Sequence, residues 1–178
     1  TDHSIDDGQK FSELIEQAFL FGMEEHIFTF GIAVDRPETG YGYLKISSSK
    51  NEKVLEVKKF LEKPDLQLAE KMIASGDYLW NSGIFLADSK VLKKCYLETA
   101  QFLEVPVTNS MKKKEVDLDF IRLEKNAWAK CPSISIDYAV MEKIQNLKAL
   151  YFDGGWSDVG NWDAIFREKE KDNTGNVI

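Results

Sequence analysis

Five short segments of the chain set polar residues among apolar ones. They are Thr1-Asp2-His3, Pro37-Glu38-Thr39-Gly40-Tyr41-Gly42-Tyr43, Phe60-Leu61-Glu62-Lys63-Pro64, Trp80-Asn81-Ser82-Gly83-Ile84-Phe85, and Ser135 to Lys143 taken with Trp156 to Trp162. Lys63 is a point charge suited to a phosphate, and Glu62 is an acceptor suited to hydroxyl groups. Both stand at the end of a predicted strand, where α/β proteins present side chains to ligands. Asn81 carries a donor and an acceptor on one side chain. Gly42, between two tyrosines, leaves its backbone open to close approach. Each also has a structural reading: a surface ion pair for Glu62 and Lys63, a β-bulge for Gly42, a turn for Asn81, and a helix cap for Asp137. Asp2 reads as a terminal residue, Asp158 as a turn former before Gly160, and His3 as structural.

The elements that must hold these residues follow from periodicity. Phe11, Leu14, Ile15, Ala18, Phe19 and Gly22 fall at helical spacing behind Asp6 or Asp7 as a cap. Ile27 to Val34 is a nearly unbroken apolar run, which predicts a central strand buried on both faces. Tyr41 to Ile46 and Lys53 to Leu61 predict two strands joined by the polar turn Ser47 to Asn51, the second with one face partly uncovered. Helices are predicted over Asp65 to Ala74, stopped by Gly76, from Asp88 or Ser89 to about Leu103, over Ile136 to Ile144 and over Trp162 to Lys169. Ala149 to Phe152 predicts a strand. The aromatic run Tyr78 to Ala87 is interrupted by Asn81-Ser82-Gly83, and residues 104 to 131 carry little signal beyond the solvated run Lys112-Lys113-Lys114. The four tryptophans read as core or rim packing. Helices alternating with apolar strands argue for a layered α/β domain.

Length and composition narrow the function. A chain of 178 residues supports one domain with a real core. Its 23 Lys+Arg against 30 Asp+Glu leave a formal charge of −7, which opposes binding to a phosphate backbone and argues against a nucleic-acid partner. No apolar run reaches the roughly 20 residues of a membrane helix, so no membrane partner is expected. Cys95 and Cys131 form no metal-binding or disulfide pattern, and read as reduced thiols of a cytoplasmic protein.

Taken together and in order, the five segments resemble the mannose-1-phosphate guanylyltransferases, in particular the bacterial enzymes that often carry a phosphomannose isomerase domain downstream. The likeness runs over nearly the whole chain and is weakest over 104 to 131. It departs at Leu61, where Val is commoner, and at Asn161, where Ser is common. It implies a Rossmann-like, glycosyltransferase-A-like nucleotidyltransferase fold: a mixed sheet with flanking helices. It also implies transfer of a guanylyl group from GTP to mannose 1-phosphate, giving GDP-mannose and pyrophosphate. By the same resemblance Asp2 and Asp158 hold Mg²⁺ and converge at one cleft, Lys63 orients the attacking phosphate, and Glu62, Asn81, Asp137 and the Gly42 backbone hold the sugar. A homo-oligomer and an isomerase domain after Ile178 are both compatible with it.

The family's glycine-rich, Arg- and Lys-bearing loop for the nucleotide phosphates and base has no counterpart here. The glycine pair Gly154-Gly155 lies at the wrong end of the chain. The expectation is therefore that residues 1–178 form the second part of a nucleotidyltransferase domain, inactive by itself, with an uncovered sheet edge around Ile27 to Val34. Base specificity is not encoded in the part present. The alternative readings are another hexose-1-phosphate nucleotidylyltransferase and a non-catalytic paralogue that binds sugar nucleotides. Retention of Asp2, Asp158 and Lys63 ranks the paralogue lower.

Overall fold

In the computed structural model, residues 3–47, 52–160, 162–169 and 171–177 are described. The turn expected between the second and third predicted strands falls largely outside them, as does Asp2.

Five strands form the centre of the molecule: β2 (Ile27–Ala33), β3 (Gly42–Ile46), β4 (Val54–Glu62), β5 (Tyr78–Ala87) and β8 (Leu147–Phe152). They close on themselves in the order β2-β5-β3-β4-β8. Only β2 and β8 run parallel; the other pairings are antiparallel. The expectation of an open edge at Ile27 to Val34 is overturned. β2 pairs with β5 on one side and with β8 on the other, and it is buried from Ile27 to Ile32.

Alternation along each strand sorts side chains into two clusters, the result expected for strands covered on both faces. Phe28, Phe30, Ile32, Tyr43, Trp80, Leu150 and Phe152 pack with Leu14 and Ala18 of helix α1 (Gly8–Gly22) and with Ala69 and Met72 of α2 (Leu66–Ser75). Ile27, Leu44, Ile46, Leu79 and Ala149 pack with Val91 and Cys95 of α3 (Ser89–Thr99) and with Val140 and Met141.

The caps follow the sequence. Carboxylates of Asp7, Asp65 and Asp88 accept the N–H groups of Lys10, Leu68 and Lys90, and Gly76, at φ +73°, ends α2. Two parts differ from expectation. Ile136 to Ile144 contains a π-helical turn, Asp137–Met141, closed by the Glu142 N–H donating to the Asp137 carbonyl at 3.0 Å. Residues 104 to 128 form helix α4 (Glu104–Lys112), an exposed hairpin of β6 (Glu115–Asp117) and β7 (Phe120–Arg122), and a short α5 (Lys125–Trp128).

Two more three-residue strands went unpredicted. β1 (His3–Ile5) pairs antiparallel with β9 (Trp156–Asp158), setting His3 opposite Asp158. Gly154 and Gly155 extend this contact, their carbonyls accepting from the N–H groups of Asp7 and Asp6. The glycine pair thus seats the start of α1. Helix α6 (Trp162–Glu168) follows, with Trp162 84% exposed, so this tryptophan is not a core residue.

Candidate active site

Strand pairing brings three of the sequence-predicted residues into one row. Gly42 at the start of β3 lies opposite Glu62 at the end of β4 and, on its other side, opposite Asn81 of β5. The row continues to Gly31 of β2 and Tyr151 of β8.

The glycine at 42 is required by its neighbour. A Cβ there would stand 2.5 Å from Glu62 Oε2 and 2.6 Å from Phe60 Cε2. The glycine therefore makes room for a carboxylate, and the irregularity in the β3·β4 register lies at Lys45 and Ile46, away from Gly42. Glu62 is largely buried, with its side chain 10% exposed beside Lys63 Nζ at 3.4 Å. Burial, then the negative charge of Asp137, hold its carboxyl above the usual range. Lys63 pulls it the other way, and Glu142 adds to the rise.

Lys63 leaves the strand at φ +48°, a conformation uncommon for a non-glycine residue. Its N–H donates to the Tyr41 carbonyl at 3.2 Å, and its side chain is 57% exposed. Asp137, at the start of the π-helical turn, is half-buried and close enough to Glu62 to act on its charge. Glu62, Lys63 and Asp137 thus share one corner.

Asn81 stands inside a strand rather than in a turn. It is buried, and its Oδ1 accepts from the Thr29 hydroxyl at 2.6 Å. The β2·β5 register slips between Thr29 and Gly31, and Gly83 at φ +74° lies in the bulge. With its oxygen accepting from Thr29, Asn81 has its amide N–H groups unpaired among the described residues. Thr29 was missed by the sequence reading because a threonine inside an apolar run reads as packing.

Asp158 lies at the end of β9. One carboxylate oxygen accepts from the Gly160 N–H at 3.0 Å; the other has no partner among the described residues. An aromatic chain ties this strand to the sheet. Trp156 meets the edge of Tyr41 at 5.4 Å between centroids, Tyr41 meets Trp80 at 5.3 Å, and Arg36 lies 4.8 Å over Trp80. His3 packs on Trp156 at 5.6 Å, the structural role expected of it. Tyr41 and Trp80 alternate with Gly42 and Asn81 along their strands, so the Asp158 strand packs at this end of the sheet on the face opposite the row. Asp2 precedes His3 but lies outside the described residues.

This corner offers a lysine suited to a phosphate, and carboxylates and an amide suited to hydroxyl groups; Asp158 lies on the strand packed over the sheet's other face. Among the described residues no three His, Cys, Asp or Glu side chains form a ready-made metal cage. A magnesium ion needs only one or two protein carboxylates where phosphates and water complete its shell, and the hard oxygen of Asp158 fits that role.

A closed mixed sheet of this order, flanked by helices and lined by these side chains, belongs with the nucleotidyltransferases. The chain is a member of the nucleotidyl transferase family, whose family model matches residues 1–175. It is 38% identical over 99% of its length to the mannose-1-phosphate guanylyltransferase of Escherichia coli, and covers 39% of that protein. It is 39% identical over 99% of its length to xanthan biosynthesis protein XanB of Xanthomonas campestris pv. campestris (strain B100), covering 38% of it. Among solved structures, mannose-6-phosphate isomerase from Helicobacter pylori superposes with a TM-score of 0.79 at 28% identity, over 88% of this chain and 62% of that one. The chain named mannose-1-phosphate geranyltransferase from Thermus thermophilus gives 0.76 at 27% identity, over 93% and 47%. The fold is thus the mixed α/β nucleotidyltransferase fold, and the chain spans about two fifths of the length of the curated relatives it matches.

Proposed function

We propose that this chain serves the transfer of a guanylyl group from GTP to mannose 1-phosphate, giving GDP-mannose and pyrophosphate, and that it supplies the sugar-phosphate side of that site. The observation that carries the reading is the row Glu62–Gly42–Asn81 with Lys63 at its end, a phosphate charge beside hydroxyl partners. The names of the relatives point to the same substrates.

In this reading Lys63 holds the sugar phosphate and turns one of its oxygens toward the α-phosphorus of GTP. That oxygen forms the new P–O bond as the bond to pyrophosphate breaks, with no covalent enzyme intermediate. The phosphate is already ionised, so no general base is needed. The residues act by positioning and by matching charge. Glu62 accepts from sugar hydroxyls, Asn81 donates to one, and Asp137 and the Gly42 backbone complete the sugar contacts. Asp158, with Asp2, would hold Mg²⁺, whose charge offsets that of the converging phosphates. The setting is the cytoplasm, consistent with two free cysteines.

Steady-state kinetics of Lys63→Ala in the full-length protein test the proposal. KM for mannose 1-phosphate should rise by about tenfold or more, the loss of one charge-assisted contact of roughly 1.5–3 kcal/mol, while KM for GTP stays within about twofold. Unchanged use of mannose 1-phosphate would remove the role of Lys63. A wild-type protein that releases pyrophosphate only with another hexose 1-phosphate would reassign the substrate.

A further inference from the structure

Glu142 follows the π-helical turn and reaches out of it. Its Oε1 accepts the backbone N–H of Glu62 at 2.8 Å, a bond between residues eighty positions apart. The bond falls where β4 stops: Glu62 is the last residue of that strand, and Lys63 turns at once to φ +48°. The two successive N–H groups at this corner are thus both taken from outside β4. Glu142 takes that of Glu62, and the Tyr41 carbonyl takes that of Lys63. A lysine persists at positive φ only where its surroundings over-determine the backbone, and these two bonds do so.

The acceptor is a carboxylate although Glu62 and Asp137 already crowd the corner with negative charge. A third carboxylate there is unfavourable unless its bond is worth keeping, and a charge-assisted bond to an N–H is stronger than a neutral one. The same residue closes the π-helical turn through its own N–H to the Asp137 carbonyl. One residue therefore ties the Glu62 strand end, through its side chain, to the Asp137 turn, through its backbone N–H. π-helical turns of this sort are frequent at functional sites.

We infer that Glu142 is a positioning residue. It does not touch substrate; it locks the Glu62–Lys63 strand end and couples it to Asp137, so that the phosphate charge and the hydroxyl acceptors keep one spacing. The inference rests on the substrate reading given above.

The test compares Glu142→Ala with Glu142→Gln in the full-length protein, since glutamine keeps a side-chain carbonyl that can accept the Glu62 N–H. Two quantities are read: KM for mannose 1-phosphate and for GTP separately, and hydrogen exchange of the amide at Glu62. Alanine should expose that amide to exchange and raise KM for mannose 1-phosphate by about tenfold, with KM for GTP little changed; glutamine should restore both. If alanine leaves KM and exchange as in the wild type, or if glutamine restores exchange but not KM, the positioning role is wrong. Should alanine fail to fold, Glu142→Asp, whose shorter side chain draws the carboxylate away from the Glu62 N–H, takes its place: protection lost with KM for mannose 1-phosphate raised supports the role, and protection lost with KM unchanged overturns it. A wild-type protein inactive with mannose 1-phosphate would sink the substrate reading, and exchange at Glu62 would still decide whether Glu142 locks the strand end.

Discussion

His3 and Asp158 stand directly opposite each other in the β1·β9 pair, so the start of the described chain and its last strand share one ladder. The residue before His3 and Asp158 itself are the two positions proposed for magnesium. Substitution of Asp158 by Asn should lower kcat by about a hundredfold or more, since it removes a carboxylate proposed to hold the Mg²⁺ that offsets the charge of the phosphates. It should leave the thermal midpoint within about 2 °C. Pyrophosphate release at varied Mg²⁺ concentration, beside a melting curve, checks both parts. Wild-type turnover would withdraw Asp158 from the metal.

Gly42→Ala should fold and yet handle the sugar phosphate poorly. The added methyl has to displace both the Glu62 carboxylate and the edge of the Phe60 ring. The carboxylate moves out of its place in the row, and the shifted ring costs stability. KM for mannose 1-phosphate should rise by roughly tenfold, or about 1.4 kcal/mol, with stability reduced by about 1 kcal/mol. Kinetics and a denaturant melt of the variant check the two parts separately.

Glu62→Gln should exchange function for stability, by an amount that depends on pH. The carboxyl is held above its ordinary range by burial and by Asp137. The fold thus holds this proton more tightly than the unfolded chain does, and the stability tied to it is lost as pH rises through the raised value. Glutamine removes that penalty. The variant should melt about 2–4 °C above the wild type at pH 8, a gain of about 1 kcal/mol, with the difference shrinking toward pH 4. An equal gain at both pH values would mean that packing, not ionisation, sets the effect.

Lys148 and Glu56 form an ion pair across β8 and β4, with the lysine almost wholly buried and Phe21 packed over it at 5.7 Å. The Lys148 ammonium holds the Glu56 carboxyl below its ordinary range. The stability this confers is present above about pH 4.5 and is lost as the pH falls through the lowered value. Glu56→Ala leaves the lysine unpaired and should cost about 1–3 kcal/mol at pH 7, whereas Lys148→Met should be nearly neutral. Denaturant melts at pH 7 and pH 3.5 distinguish the two.

Much of the frame was legible because local signals agreed with the fold. Asp7, Asp65 and Asp88 announce helix starts, and the run from Ile27 reads as a buried strand because it is one. β5 was obscured because Asn-Ser-Gly has the chemistry of a turn. What keeps those residues in the strand is the Thr29 hydroxyl, fifty-two positions away. β1 and β9 are too short to show any period. At the site, the residue types at 62, 63, 81 and 137 could be read as ligands, but their juxtaposition is a matter of register. Gly42 was singled out for an open backbone, whereas the structure ties it to the Glu62 carboxylate. Glu142 could not be found, because its contact is with a backbone N–H that no side-chain pattern reveals.

The parallel pairing of β2 with β8 also bears on how the protein is made. Ile27 waits for Leu147 as its partner, so the ring cannot shut while the ribosome is still delivering the residues between them. During that interval Phe28, Phe30 and Ile32 sit on a strand with one side unpaired. The nascent protein is then most exposed to sticking to its neighbours and most dependent on chaperones. Codon changes that slow translation between α3 and β8 should therefore lower the yield of folded protein without altering a single residue of it.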